Sequence, residues 1–128
     1  MYEYQAVLAG IHDGDTLRMD IDLGFSVHFL TPNPRKDLPQ SLRIFGYDAP
    51  ELGRADQLGE QARNALIAWF AAHGGPYTLT TIKDHIDKFG RYLAASIVAT
   101  DGREAVADAV TAGWLKPYTG QGPKPVWP

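Results

Sequence analysis

The chain has 128 residues, a formal charge of −3 and no cysteine. That length suits one domain whose core needs no disulfide staples, and the missing cysteine excludes disulfide chemistry and thiolate metal sites. Net acidity speaks against gripping nucleic acid through a broad basic surface, so such a contact must be concentrated in a site.

Residues 5–12 read as a strand running into a turn at Asp13-Gly14, and Thr16–Asp22 alternates apolar and polar residues as a half-buried strand does. Leu23-Gly24 reads as a turn, after which Phe25, Val27 and Phe29 resume the alternation. Residues 31–40 hold three prolines and mixed charges and read as a surface loop, followed by a strand over 41–47. Leu58, Ala62, Ala65, Leu66, Trp69 and Phe70 share one face of a helix over 56–73, with Asp56 as N-cap and Gly74 as stop. Strands are expected over 77–83 and 91–99, the latter closed by Asp101-Gly102. A short helix over 105–112 has Gly113 at its C′ position, and the chain after Lys116 is proline-rich.

Three strands, a helix, two strands and a second helix predict an α+β, mainly β fold: a five-stranded OB-fold β-barrel with two helices. The expected domain covers 1–118, and 119–128 forms a proline-rich C-terminal tail. No apolar run reaches the length of a membrane span. The start, Met1-Tyr2-Glu3-Tyr4-Gln5, has neither the basic flank nor the apolar stretch of a signal peptide. A cytoplasmic monomer is the expectation.

Three segments carry the chemistry: His12-Asp13-Gly14-Asp15-Thr16, Arg43-Ile44-Phe45-Gly46-Tyr47-Asp48-Ala49-Pro50-Glu51, and Asp87-Lys88-Phe89-Gly90-Arg91. The first two put carboxylates at strand ends, which converge on one rim in a small barrel. Carboxylates without cysteine or clustered histidine are hard oxygen ligands suited to Ca²⁺ or Mg²⁺ rather than zinc. Arg43 and Arg91 flank the same places, and carboxylates with arginines suit phosphoryl chemistry. Metal and guanidinium stabilise charge on the phosphorus oxygens while a carboxylate takes the proton of attacking water. Taken singly, Asp13-Gly14 reads as a hairpin turn, Asp48 to Glu51 as a strand exit, and Gly90-Arg91 as a loop. Their joint occurrence in this order favours the chemical reading.

From about Val7 to Tyr118 the sequence resembles the staphylococcal (micrococcal) nuclease family. The likeness is to that family's Asp-Gly-Asp-Thr, Arg-x4-Asp-x-Pro-Glu and Asp-x-Tyr-Gly-Arg signatures, which stand here as Asp13 to Thr16, Arg43 to Glu51 and Asp87 to Arg91 with Phe89 at the Tyr position. It implies a staphylococcal-nuclease-like domain that hydrolyses DNA and/or RNA with Ca²⁺ (Mg²⁺ or Mn²⁺ as alternatives) and leaves 3′-phosphate ends. Asp15 and Asp48 would ligate the metal through carboxylates, and Ala49 through its backbone carbonyl. Glu51 would orient or deprotonate the attacking water, and Arg43 and Arg91 would bind the scissile phosphate. Tyr118 lies near where the family packs an aromatic on the nucleotide, though it can equally pack the tail on the barrel. Lys88 meets either a neighbouring phosphate or solvent.

The sequence departs from the family in four places. Phe89 replaces a frequent Tyr, 31–40 looks inserted, the family's C-terminal helix gives way to the proline-rich tail, and no secretion signal is visible. Two other functions compete with the nuclease. A catalytically inactive OB-type module, binding nucleic acid or protein, predicts gaps among the five catalytic and carboxylate positions, and none is seen. An unrelated single-strand binder wants a basic groove, which the net acidity disfavours.

Overall fold

The computed structural model describes residues 2–25, 27–29, 40–86 and 91–127. Most of the expected 31–40 loop, and Lys88 with its neighbours 87–90, lie outside the described residues.

Strand β1 (Tyr2–Asp13) is long because it serves two partners. Its first residues pair antiparallel with β6 (Tyr77–Ile86), Tyr2 opposite Thr81 and Ala6 opposite Tyr77. The remainder pairs with β2 (Thr16–Asp22), from Gln5 opposite Asp22 to Asp13 opposite Thr16. Register shifts between Leu8 and Gly10 and between Ile11 and Asp13 mark bulges, which bend a strand and increase its twist. β2 pairs with β4 (Gln40–Ile44), β4 runs parallel to β7 (Tyr92–Val98), and β7 returns to β6. The circuit β1-β6-β7-β4-β2-β1 is a closed, mixed five-stranded barrel of OB-like, mainly β character. Its one parallel pair needs a crossover, supplied by the chain that carries α1 (Leu58–Ala72) and β6.

Alternation fills the barrel. Leu17, Met19 and Ile21 of β2 are buried while Arg18 and Asp22 between and beside them are exposed. Leu42, Ile44, Leu79 and Ile97 complete the most deeply buried layer. α1 buries Ala62, Leu66 and Phe70, with the Phe70 ring edge-on to Tyr77 at 5.1 Å. The second helix, α2 (Ala105–Thr111), is tied to α1 through Trp69 Nε1, which donates to Asp108 Oδ2 at 2.8 Å.

Glu104 caps α2. Its carboxylate accepts from the backbone N–H of Val106 (2.7 Å) and Ala107 (3.0 Å), and from Ile97 of β7 (3.0 Å). One side chain thus satisfies helix-end donors and anchors the helix to the barrel. Glu104→Ala is expected to cost about 1–2 kcal/mol, read as a lower urea midpoint at unchanged m. An unchanged midpoint would remove the capping role.

Several expectations shift. Among the described residues, the alternation of Phe25, Val27 and Phe29 does not run as one strand: only His28–Phe29 (β3) pairs, opposite Ile21 and Asp22 of β2. Leu23 N bonds to Val27 O (2.8 Å) and Val27 N to Gly24 O (2.9 Å), forming a hairpin loop that leaves Phe25 exposed at φ 54°. The strand expected over 41–47 breaks at Phe45-Gly46, because Gly46 turns the chain at φ 84°. Tyr47–Asp48 (β5) then pairs with Lys116–Pro117 (β8) in a separate two-stranded sheet. Asp56 is not the cap residue of α1: Gln57 takes that position at φ 59°, while Asp56 Oδ1 still accepts from Leu58 N at 3.2 Å. Among the described residues no helix is long and apolar enough to cross a membrane.

Candidate active site

Strand register brings distant segments to one rim. β2 starts at Thr16 opposite Arg43 of β4, and Arg43 stands opposite Leu93 of β7, two residues beyond Arg91. The turn before β2, the end of β4 and the start of β7 are therefore neighbours. β5 leaves the same rim, carrying Asp48 and then Ala49 to Glu51.

The Asp13–Asp15 turn is pressed against that exit. Asp15 N donates to Asp13 Oδ1 at 3.1 Å. A Cβ on Gly14 would lie 2.8 Å from the Ala49 Cβ and 3.0 Å from the Ala62 Cβ, so only glycine lets turn, exit and helix meet without displacement. The contact is sealed by Ala49 N donating to Asp15 Oδ2 at 2.9 Å.

Arg43 joins the two acids. Its guanidinium approaches Asp15 Oδ2 at 2.9 Å and Asp48 Oδ1 at 3.2 Å, with all three side chains largely buried. Thr16 extends the network: its hydroxyl donates to Asp15 Oδ1 (3.1 Å) and accepts from Arg91 Nη1 (3.2 Å). Arg91, Thr16, Asp15, Arg43 and Asp48 thus form one connected chain of polar contacts. Burial, with the Asp13 carboxyl alongside, outweighs the Arg43 guanidinium and pushes the Asp15 carboxyl up to about 7. Its charged form calls for more positive charge than Arg43 alone provides.

Glu51 stands apart from this network and is exposed. Its Oε1 accepts from Lys124 Nζ at 2.6 Å, and that ammonium holds the Glu51 carboxyl below the usual carboxylate range. The segment after β8 carries Lys124 back over the site. Tyr118 N donates to Gly46 O (2.9 Å), and Tyr118, Thr119, Gly120 and Lys124 form one wall of a cleft of about 460 Å³. Asp13, Asp15, Arg43, Asp48, Ala49, Glu51 and Arg91 line the rest of its polar surface.

Seven of the eight residues singled out in the sequence therefore share this cleft: Arg43, Glu51, Arg91, Asp15, Asp48, Ala49 and Tyr118. The eighth, Lys88, is outside the described residues. Three further participants carried no assigned role in the sequence. Thr16 and Asp13 lay inside the first motif, whereas Lys124 sits in a proline-rich stretch with no signal of its own.

Chemically, the cleft offers oxygen donors from Asp15 and Asp48 beside guanidiniums. Among the described residues no three acidic or histidine side chains are gathered as a ready-made metal cage. Two carboxylates fit a hard cation that keeps several of its waters, and the disfavoured charge on Asp15 is what such a cation would relieve. No model of a known protein family matches the sequence, and no curated protein matches it.

Proposed function

We propose that the chain is a divalent-metal-dependent nuclease of the staphylococcal-nuclease type, hydrolysing phosphodiester bonds of DNA and/or RNA with Ca²⁺ as the favoured cation. The observation that carries the reading is the meeting of Asp15, Asp48, Glu51, Arg43 and Arg91 around one cleft.

Asp15 and Asp48 would hold the cation, with the Ala49 carbonyl as a further ligand. When bound, the cation supplies a Lewis acid for the phosphoryl oxygens and acidifies water. The residues of the chain do the rest. Arg43 and Arg91 clamp the non-bridging oxygens, and their planar forks suit charge that builds on phosphorus in the transition state. Glu51 accepts a proton from the attacking water. The new O–P bond forms as the bond to the 5′ oxygen breaks; that oxygen leaves as a 5′-hydroxyl, taking its proton from solvent water, and a 3′-phosphate remains. The Tyr118 ring, on the cleft wall, offers a face for a base.

Digestion of plasmid and single-stranded DNA with Ca²⁺, Mg²⁺, Mn²⁺ or EDTA tests the reading. Metal-dependent degradation is expected. Glu51→Ala and Arg91→Ala are each expected to lower kcat/KM by roughly three orders of magnitude with the fold retained, because both groups act chiefly in the transition state. No metal-dependent cleavage, or full activity in both folded variants, would refute it.

A further inference from the structure

The Lys124–Glu51 pair has no evident structural purpose. Its side chains are 54% and 69% exposed, and exposed ion pairs contribute only about 0–1 kcal/mol to stability. Yet Lys124 is not left to wander. Its segment is pinned before it by Tyr118 N to Gly46 O (2.9 Å). Beyond it, Lys116 Nζ donates to Val126 O at 2.8 Å and lies 4.5 Å from the centre of the Trp127 ring. The backbone thus delivers an ammonium to the mouth of the cleft, on the wall that also carries Tyr118. The Asp48 carboxylate also attracts it electrostatically. Among the described residues, the cations lining the cleft are Arg43, Arg91 and Lys124. Arg43 is shared with two buried carboxylates deep in the cleft, whereas Lys124 is held by one exposed carboxylate that a phosphate can displace.

Resting on the nuclease reading, we propose that Lys124 is a substrate-binding residue that exchanges counter-ions. Glu51 holds its ammonium in the substrate-free protein, a backbone phosphate of the nucleic acid takes it over on binding, and Glu51 is released to face water. The exchange couples arrival of a phosphate strand to release of the proton acceptor from its ion pair. It adds no new covalent step. Proton transfer stays with Glu51, and Lys124 contributes only its charge.

The 128-residue chain tests this in two assays. The first follows anisotropy of a fluorescein-labelled single-stranded DNA in EDTA across a salt series. Lys124→Ala should weaken binding about three- to tenfold at low salt, and the slope of log K against log [salt] should shrink by about 0.7, the value of one phosphate contact on a single strand. Lys124→Arg should keep the wild-type slope. Glu51→Ala should tighten binding about threefold in the wild-type background, with most of that gain lost when Lys124 is also alanine, since the two residues are coupled. The second assay is steady-state cleavage with Ca²⁺. Lys124→Ala should raise KM by the same factor while kcat stays within about twofold, because uniform binding is lost and the transition-state contacts remain.

An unchanged salt slope in Lys124→Ala overturns the phosphate contact, whatever happens to the rate. A fallen kcat at unchanged KM and slope overturns it too, and makes Lys124 a positioning residue for Glu51. Wild-type protein that binds DNA with the predicted Lys124-dependent slope but never cuts it would sink the nuclease reading and the release of Glu51 for catalysis, while leaving the phosphate contact standing. Wild-type protein that neither binds nor cuts sinks both.

Discussion

Arg43→Ala is expected to abolish cleavage and, in the absence of metal, to destabilise the fold. Arg43 lies between two acids that are almost fully buried, at 2.9 Å from Asp15 and 3.2 Å from Asp48. Removing one partner of a buried ion pair costs about 3–5 kcal/mol, because the remaining charge keeps its desolvation penalty without compensation. The cost here belongs near the lower end. Asp15 already sits at about 7, so it takes up a proton readily once its cation is gone. About 3 kcal/mol corresponds to a loss of roughly 10 °C in Tm for a domain of this size. A divalent cation supplies the missing charge, so adding Ca²⁺ should raise Tm more in the variant than in the wild type. Activity should not return with it. The guanidinium that would face the phosphoryl oxygens is absent, and loss of such a donor costs about three orders of magnitude or more. Thermal unfolding in EDTA and in Ca²⁺, with cleavage assayed in parallel, separates the two roles. Equal Tm gains from Ca²⁺ in both proteins would mean that the cation does not occupy the Asp15–Asp48 site.

How far the sequence reveals this site depends on the range of each contact. The barrel strands are legible because burial there follows a period of two: Leu17, Met19 and Ile21 face inward and Arg18 and Asp22 outward. α1 is legible because Ala62, Leu66 and Phe70 recur at helical spacing and are the residues it buries. The same rule misleads at Phe25 and Val27. They alternate like strand residues yet lie exposed in a loop, and no propensity anticipates a phenylalanine at φ 54°. The motifs indicated which residues to watch, but not the connections among them. Thr16 bridging Asp15 and Arg91 is a consequence of β2–β4–β7 register. The β5–β8 pairing involves two residues per strand, too few for any periodic signal. That pairing starts the return of the chain over the cleft, so the Lys124–Glu51 contact has no trace in local sequence.

Both acid–cation groupings of the cleft follow one logic. Asp15 and Asp48 hold Arg43, and Glu51 holds Lys124. On the proposed reading, the groups a phosphate would need are kept in place by the groups a cation and a water would need. Within a net-acidic chain, this stores positive charge at the site without a basic surface that would bind nucleic acid indiscriminately.

Gly59→Ala is the second change with a large expected effect, and here sequence and structure predict opposite signs. By helix propensity alone, replacing a glycine inside α1 with alanine should stabilise by about 1 kcal/mol. Gly59, however, is buried where the start of α1 meets the chain leaving β5. An alanine Cβ there would lie 2.0 Å from the Glu51 carbonyl oxygen, 2.4 Å from its carbonyl carbon and 2.6 Å from Leu52 N. These are backbone atoms, so no side chain can swing aside, and helix and segment must part by about an ångström to restore contact distance. Overpacking of this kind costs about 1–3 kcal/mol or more, which outweighs the propensity gain. The junction cannot yield easily, because Glu60 Oε1 accepts from Gly53 N at 2.9 Å and ties the same two segments. The displaced residue is Glu51, the proposed proton acceptor, and a misplacement of about 1 Å at a reacting group is worth about 10²-fold in rate. Gly59→Ala should therefore lower both Tm and kcat while leaving Ca²⁺ affinity, which the proposed site assigns to Asp15 and Asp48, close to that of the wild type. Gly74→Ala is the control: nothing lies within 4 Å of its added Cβ, and its stability should stay within about 0.5 kcal/mol with wild-type activity. A Gly59→Ala protein as active and as stable as its parent would show that Glu51 is not held by the close approach of α1.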